Sequence, residues 1–267
     1  MALNIKVWIR LIAVLWLSAP MGGVIGQDMM SLVDMHSPDM TEAEMTRPEV
    51  LALLSAADTR PDLSGRRLSG LDLSGIDFRG ANLRSARLNG TRLEHAGLKD
   101  AILDQAWLVG AKLDGADLRG ANLFSTQLQG ASLRGADLSD ARVVADLSRA
   151  DLSGARLHGA RMAADMRNQS MGLMRVIFRS ANLDGADLSG AEVARADMRF
   201  ATLRNARLVD ADLSRVDLAG ADLTGADVSG LNLSGADLDS ARLVALRHAD
   251  RIVGLDQARN LDAAIRK

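Results

Sequence analysis

The chain reads as an all-β solenoid flanked by short helical segments, and three observations predict it. An apolar residue recurs at every fifth position over most of the stretch from Leu63 to Leu243, a period that suits neither an α-helix at 3.6 residues nor a flat strand at 2. Aromatic residues make up only 3% of the 267 residues and Tyr is absent, yet 48% are hydrophobic, so there is apolar surface to bury. Gly, Ala, Leu, Asp and Arg dominate, the bias of a repeat array rather than of an ordinary globular domain.

Residues 1–26 carry the parts of a secretory signal. Lys6 and Arg10 precede a nine-residue apolar core, Leu11 to Ala19, which Pro20, Gly22 and Gly23 then break. Val24-Ile25-Gly26 sets small residues before Gln27 for cleavage. The uncharged run from Leu11 to Gly26 is 16 residues, short of the roughly 20 that span a bilayer. The alternative is an uncleaved N-terminal anchor, and either reading places the body in the periplasm or outside the cell. Residues 27–60 form a Met-rich linker and an N-terminal cap helix. Thr41 and Glu44 suit a capping box, Pro48 to Ala57 a short helix, and Pro61 its end. Such a helix fits a cap over the first open edge of a repeat array.

The repeat follows over residues 61–245. Its centre is Leu63, Leu68, Leu73, Phe78 and so on to Val143. Ala often stands two places before the centre, as at Ala81, Ala106 and Ala136; Asp or Asn often stands between, as at Asn82 and Asp117; Gly often stands two places after. The centre and the Ala are expected to point inward and the other three positions outward, with Gly easing a corner. After Val143 the centres read Leu147, Leu152, Leu157, Met162, Met166, Leu173 and Phe178. Two steps of four and one of seven cancel, so Phe178 falls 35 residues after Val143, where an unbroken array would put it. The expectation is one continuous rod with a small bulge at Arg167 to Gly172. From Leu63 to Leu243 are 180 residues, or 36 steps, about nine coils and roughly 44 Å at inter-strand spacing if each coil has four sides.

These units resemble the pentapeptide-repeat family, whose unit is written A-(D/N)-L-x-x. The resemblance covers residues 61–243. It implies a right-handed quadrilateral β-helix of twenty residues per coil, here with short N- and C-terminal capping helices. Residues 246–267 supply the C-terminal one, with Leu255, Ala258, Leu261, Ala264 and Ile265 on one face. In several family members a C-terminal helix makes a dimer, so a homodimer is possible on this resemblance. The family is known best for acidic rods that mimic DNA and shield gyrase. That alternative fits poorly: residues 61–243 hold 24 Asp plus Glu against 23 Lys plus Arg, whereas duplex DNA carries a charge every ~1.7 Å.

No chemistry emerges from the remaining polar residues. There is no cysteine, which excludes disulfides, a thiol nucleophile and Cys-based metal sites. His36, His95, His158 and His248 have no ligand spacing, the serines occupy variable slots with no His–Asp relay, and the glycines belong to the repeat. Asp197, Asp217 and Asp237 stack as a column, read as carboxylates that bond backbone amides at corners rather than as a cation ladder. Met29, Met30, Met35, His36, Met40 and Met45 form a soft-ligand set, so a metal-binding envelope protein is a second alternative; the reading preferred is a tether whose methionines pack. No cofactor is expected.

Exposed aromatics are the most informative residues. Trp107 precedes its centre Leu108, Phe124 follows Leu123, and Phe200 lies two after Met198. Aromatic residues are enriched at interfaces. The expected docking surface is the side bearing Trp107 and, one coil on, Gln127, with Phe124 at the adjoining edge and Phe200 elsewhere. The chain is therefore read as an exported, non-catalytic scaffold for an unidentified protein partner, with no nucleic acid bound and no membrane span in the mature chain.

Overall fold

The computed structural model describes residues 33–56, 60–164 and 174–267. The expected signal, Met29, Met30 and the bulge Arg167–Gly172 lie outside them.

Each five-residue unit makes one side of a coil. In a representative unit, Ala106 and Leu108 are fully buried, while Trp107 and Val109 are partly exposed and Gly110 lies outside. A corner closes where the Ala111 amide donates to the Leu108 carbonyl at 3.0 Å, a turn that needs a left-handed third residue. Gly110 supplies it at φ 65°. Coils are then joined by backbone bonds. Trp107 N–H donates to Ala86 of the coil before at 2.9 Å, and Leu108 N–H to Gln127 of the coil after at 2.7 Å.

Four ladders of parallel bridges result, so each coil has four sides. The first side runs through Asp62, Asn82, Ile102, Asn122, Arg142, Arg161, Glu192, Asp212, Asn232 and Val253. The second runs through Arg67, Arg87, Trp107, Gln127, Asp146, Ile177, Asp197, Asp217, Asp237 and Arg259. The third starts at Asp72 and the fourth at Asp77. Ten rungs spaced like neighbouring strands give a rod of roughly 43 Å. The extended pair β1 (Asn122–Gln127) and β2 (Arg142–Asp146) marks the corner where one residue is missing from the period. Where Thr replaces the inward Ala, its hydroxyl is satisfied: Thr91 donates to the Leu68 carbonyl at 2.9 Å and Thr126 to Leu103 at 2.8 Å.

The register after Met162 differs from the five-residue count. Ile177 bridges Asp146, so Phe178 heads the second side directly after Met162 on the first. Sixteen residues make a step that needs five, and eleven are inserted. Met166 and Leu173, counted as centres from the sequence, lie outside the described residues. The insertion also changes what shares a side: counting fives from Leu108 to Met198 puts them on opposite sides, but the bridges put them on the same one.

Both ends differ in detail from expectation. The segment read as a linker contains α1 (Pro38–Thr41), and Met40 is buried. α2 (Arg47–Ala56) follows, and its capping carboxylate is Glu49, not Glu44. Glu49 accepts from the Thr46 amide at 2.7 Å and hydroxyl at 2.8 Å. Thr41 instead bonds Ser37, and Glu44 pairs with Arg66 and Arg67. Val50 enters the core, with Met45, Leu53 and Leu54 packed beside it. The first coil's rim carbonyls find donors in this segment: Glu44 N–H reaches Arg67 O at 2.9 Å, and the Arg47 guanidinium reaches Asp72 O and Ser74 O at 2.7 and 2.9 Å. A sheet edge is thereby occupied.

At the far end no α-helix forms among residues 246–267. Short 3₁₀ turns, Ala249–Arg251, Leu255–Gln257 and Leu261–Ala263, lie between Arg247, Val253, Arg259 and Ile265, which bridge the preceding coil. The coil continues with six-residue sides. Ile252 and Leu255 rest on the core on either side of Val253, and Ala258 and Leu261 on either side of Arg259, which produces a three-residue spacing that resembles a helix face.

Candidate protein-binding face

The second side gathers most of the unusual surface chemistry. Its early rungs are flat. Trp107 and Gln127 are bridge partners as expected, and both are only partly exposed. Gln129 donates to Gln127 at 2.9 Å and to Asp146 at 2.8 Å, so the amides form a bonded row. Phe124 stands on the adjoining first side, with the Arg142 guanidinium 4.3 Å from its ring centroid. Such a contact contributes ~0.5–1 kcal/mol at an exposed site.

Phe200 is different. It occupies the corner that ends the second side on the Asp197 coil, and it is 62% exposed. Its backbone is left-handed at φ 59°. Every other non-glycine at such a corner among the described residues is polar, charged or Ala, and a bulky residue there is an outlier. The ring lies over Gly220 of the next coil, where a Cβ would stand 2.6 Å from it.

Beside it lies the most buried charge among the described residues. Asp197 has no exposed side-chain surface, and three arginines converge on it: Arg179 and Arg199 at 2.8 Å and Arg175 at 3.5 Å. Burial pushes the Asp197 carboxyl up, but the Arg199 and Arg179 bonds outweigh it and hold it at about 2. Asp197 Oδ1 also accepts from the Arg199 amide at 3.3 Å. This last bond is the general role of Asp and Asn in the repeat. Asp62 accepts from Ser64 N–H at 3.0 Å, Asp187 from Ser189 at 2.9 Å and Asp217 from Ala219 at 3.2 Å. The stacked column Asp197, Asp217, Asp237 is thus neutralised locally, Arg199 also lying 3.4 Å from Asp217 and Arg259 3.4 Å from Asp237.

The sequence reading of this column did not foresee the convergence on Asp197. The available signal was Arg179, twenty residues before Arg199 and so directly behind it in the stack. Among the described residues no group of His and acidic side chains is arranged to hold a metal. His95 lies over Gly115, and His248 contacts Asp227 at 2.9 Å. Of the soft-ligand set, Met40 is buried and Met45 packs on the core. A shallow cleft lies between Asp117, Arg119, Asp137 and Arg156. Its carboxylates are paired with its arginines at 2.7 and 3.2 Å, and no Ser, Thr, Cys, Lys or His lines it. No described helix is long and apolar enough to cross a membrane.

The model of pentapeptide repeats matches this chain in eight copies over residues 62–100, 101–140, 145–163, 181–218 and 217–245. The gap between 163 and 181 coincides with the insertion. Among solved structures, the chain is similar to HetL, a pentapeptide repeat protein involved in heterocyst differentiation regulation from the cyanobacterium Nostoc sp. strain PCC 7120. Identity is 32% over 83% of this chain and 95% of that one, with a TM-score of 0.43. It is similar to a pentapeptide repeat protein from the Arabidopsis thaliana thylakoid lumen at 35% identity over 46% of this chain and 68% of that one, TM-score 0.24. QnrB1, a plasmid-mediated fluoroquinolone resistance protein, aligns at 21% identity over 67% of this chain and 79% of that one, TM-score 0.31. No curated protein matches.

Proposed function

Because this chain belongs to the pentapeptide-repeat family, we propose that it is an exported, non-catalytic scaffold that binds a protein partner along its second side. The observation that carries this reading is Phe200, a large apolar ring left 62% exposed in a backbone conformation that disfavours it. A residue that costs folding energy and hides little surface is explained by what it meets outside the chain. Trp107 and Gln127 extend the same side, Phe124 borders it, and the right-handed winding implied by the family is part of the reading. Export rests on Lys6, Arg10 and the apolar core Leu11–Ala19.

One feature favours binding over catalysis, and another weighs against the DNA-mimic alternative. The carboxylates of the one cleft described above, Asp117 and Asp137, are tied to Arg119 and Arg156 and held below the usual carboxylate range, which suits ion pairing rather than proton transfer. The near-equal acidic and basic content of residues 61–243 also gives no support to a DNA-mimic role. The test is crosslinking capture from the cell envelope with the wild-type chain and with Phe200→Ser. A protein retained by the first and lost with the second is expected. Equal capture by both contradicts the assignment of this side.

A further inference from the structure

We infer that the partner segment docked at this end of the second side is acidic and offers an apolar pocket to Phe200; this rests on the scaffold reading above. The argument is local charge. The rungs headed by Ile177, Asp197 and Asp217 comprise residues 175–180, 195–200 and 215–220. Those stretches hold five arginines, Arg175, Arg179, Arg195, Arg199 and Arg215, against two aspartates, Asp197 and Asp217. The array as a whole is balanced, at 24 acidic and 23 basic residues over 61–243, so this excess of three positive charges is a local feature.

The arrangement suits recognition. Arg195 and Arg215 stand at left-handed corners on one edge of the side, and neither makes an ion pair among the described residues. Phe200 stands on the opposite edge. Between them, Arg179 and Arg199 are held by one buried carboxylate, each 2.8 Å from Asp197 Oδ2. Guanidiniums already fixed lose less freedom on binding, and Arg beside an aromatic anchor is the composition of an interface hot spot.

The extent of the patch selects its occupant. It covers two inter-coil steps, roughly 10 Å. The rung before it, residues 145–149, holds one Asp and one Arg, and the rung after it, residues 235–240, holds Asp237 and Asp239. A nucleic-acid backbone or an anionic membrane needs a longer cationic track. A short acidic peptide segment fits between these limits, and its attraction is screened by salt.

The test is photo-crosslinking in the source cells with the full chain. Phe200 is replaced by a photoreactive benzoylphenylalanine, and in a parallel chain Trp107 is replaced in the same way. The expected product at position 200 is a protein whose crosslinked segment carries net negative charge. Its yield should fall at least fivefold in the Arg195→Glu, Arg215→Glu background and stay unchanged in a Lys99→Glu control on the fourth side. A neutral or basic segment, a lipid or nucleic-acid adduct, or a yield indifferent to the charge reversals overturns the acidic-partner inference. Protein captured at 107 but not at 200 does the same and leaves the scaffold reading standing. No protein captured at either position overturns both.

Discussion

Replacing Phe200 with Gly separates an anchor from a structural residue. Three terms decide its effect on stability. Relief of the left-handed strain at φ 59° contributes ~1–2 kcal/mol. The added freedom of Gly in the unfolded chain costs ~0.4–1 kcal/mol. The ring is 62% exposed, leaving 38% covered, so losing it forfeits ~0.6–1.1 kcal/mol of the ~1.5–3 that full burial gives. The sum lies within about 1 kcal/mol of zero. For a chain of this size that is a melting shift of no more than about 2–4 °C. Met198, two residues earlier and fully buried, is the comparison: its loss leaves a cavity worth ~2–5 kcal/mol. Circular-dichroism melts of Phe200→Gly and Met198→Gly read both. If Phe200→Gly melts as low as Met198→Gly, the ring is a staple over Gly220 and the anchor argument fails.

Three further outcomes follow from the structure. The folded Asp197 carboxyl is depressed from 3.8 to about 2, which corresponds to about 1–2 kcal/mol once the shift is converted and the partly exposed arginines are discounted. That contribution is present above pH ~4 and lost as pH falls towards 2. The stability gap between wild type and Asp197→Asn should therefore narrow over that window, and a pH-independent gap argues against the network. Deleting residues 165–175 should leave Ala163, Ala164, Val176, Ile177 and Phe178 as an ordinary unit, with the rod's melting temperature kept within a few degrees; collapse of the rod would restore Met166 and Leu173 to the core. An export-dependent reporter enzyme fused to the C-terminus should be active, and a silent reporter with intact chain in the cytosol removes the exported part of the proposal.

The rod was legible because its period is imposed by geometry. A corner every five residues demands a large and a small inward side chain, and Leu108 with Ala106 shows both demands met. The outward Asp was legible for the same reason, since its carboxylate bonds the amide two residues on. The register beyond Met162 was not. Met166 and Leu173 are apolar and nearly in phase, and a count along the chain cannot distinguish a side from an insertion. The C-terminal coil was misread because two inward residues per six-residue side give a three-residue spacing. The overlooked signal was His248, Gly254 and Asn260, six apart and all left-handed at φ 59°, 68° and 57°. The register error also hid the site. It placed Phe200 on the opposite side from Trp107, whereas the bridges place the two at different heights of the same side.

Hydroxyl-radical footprinting of the chain alone and in complex with the captured partner is the most direct test of the second side as the docking surface. Phe200 should oxidise readily in the free chain and at least fivefold more slowly in the complex, with Trp107 as a further reporter on that side and Met162 as a buried, silent control. Unchanged oxidation of Phe200 in a stable complex would contradict the account.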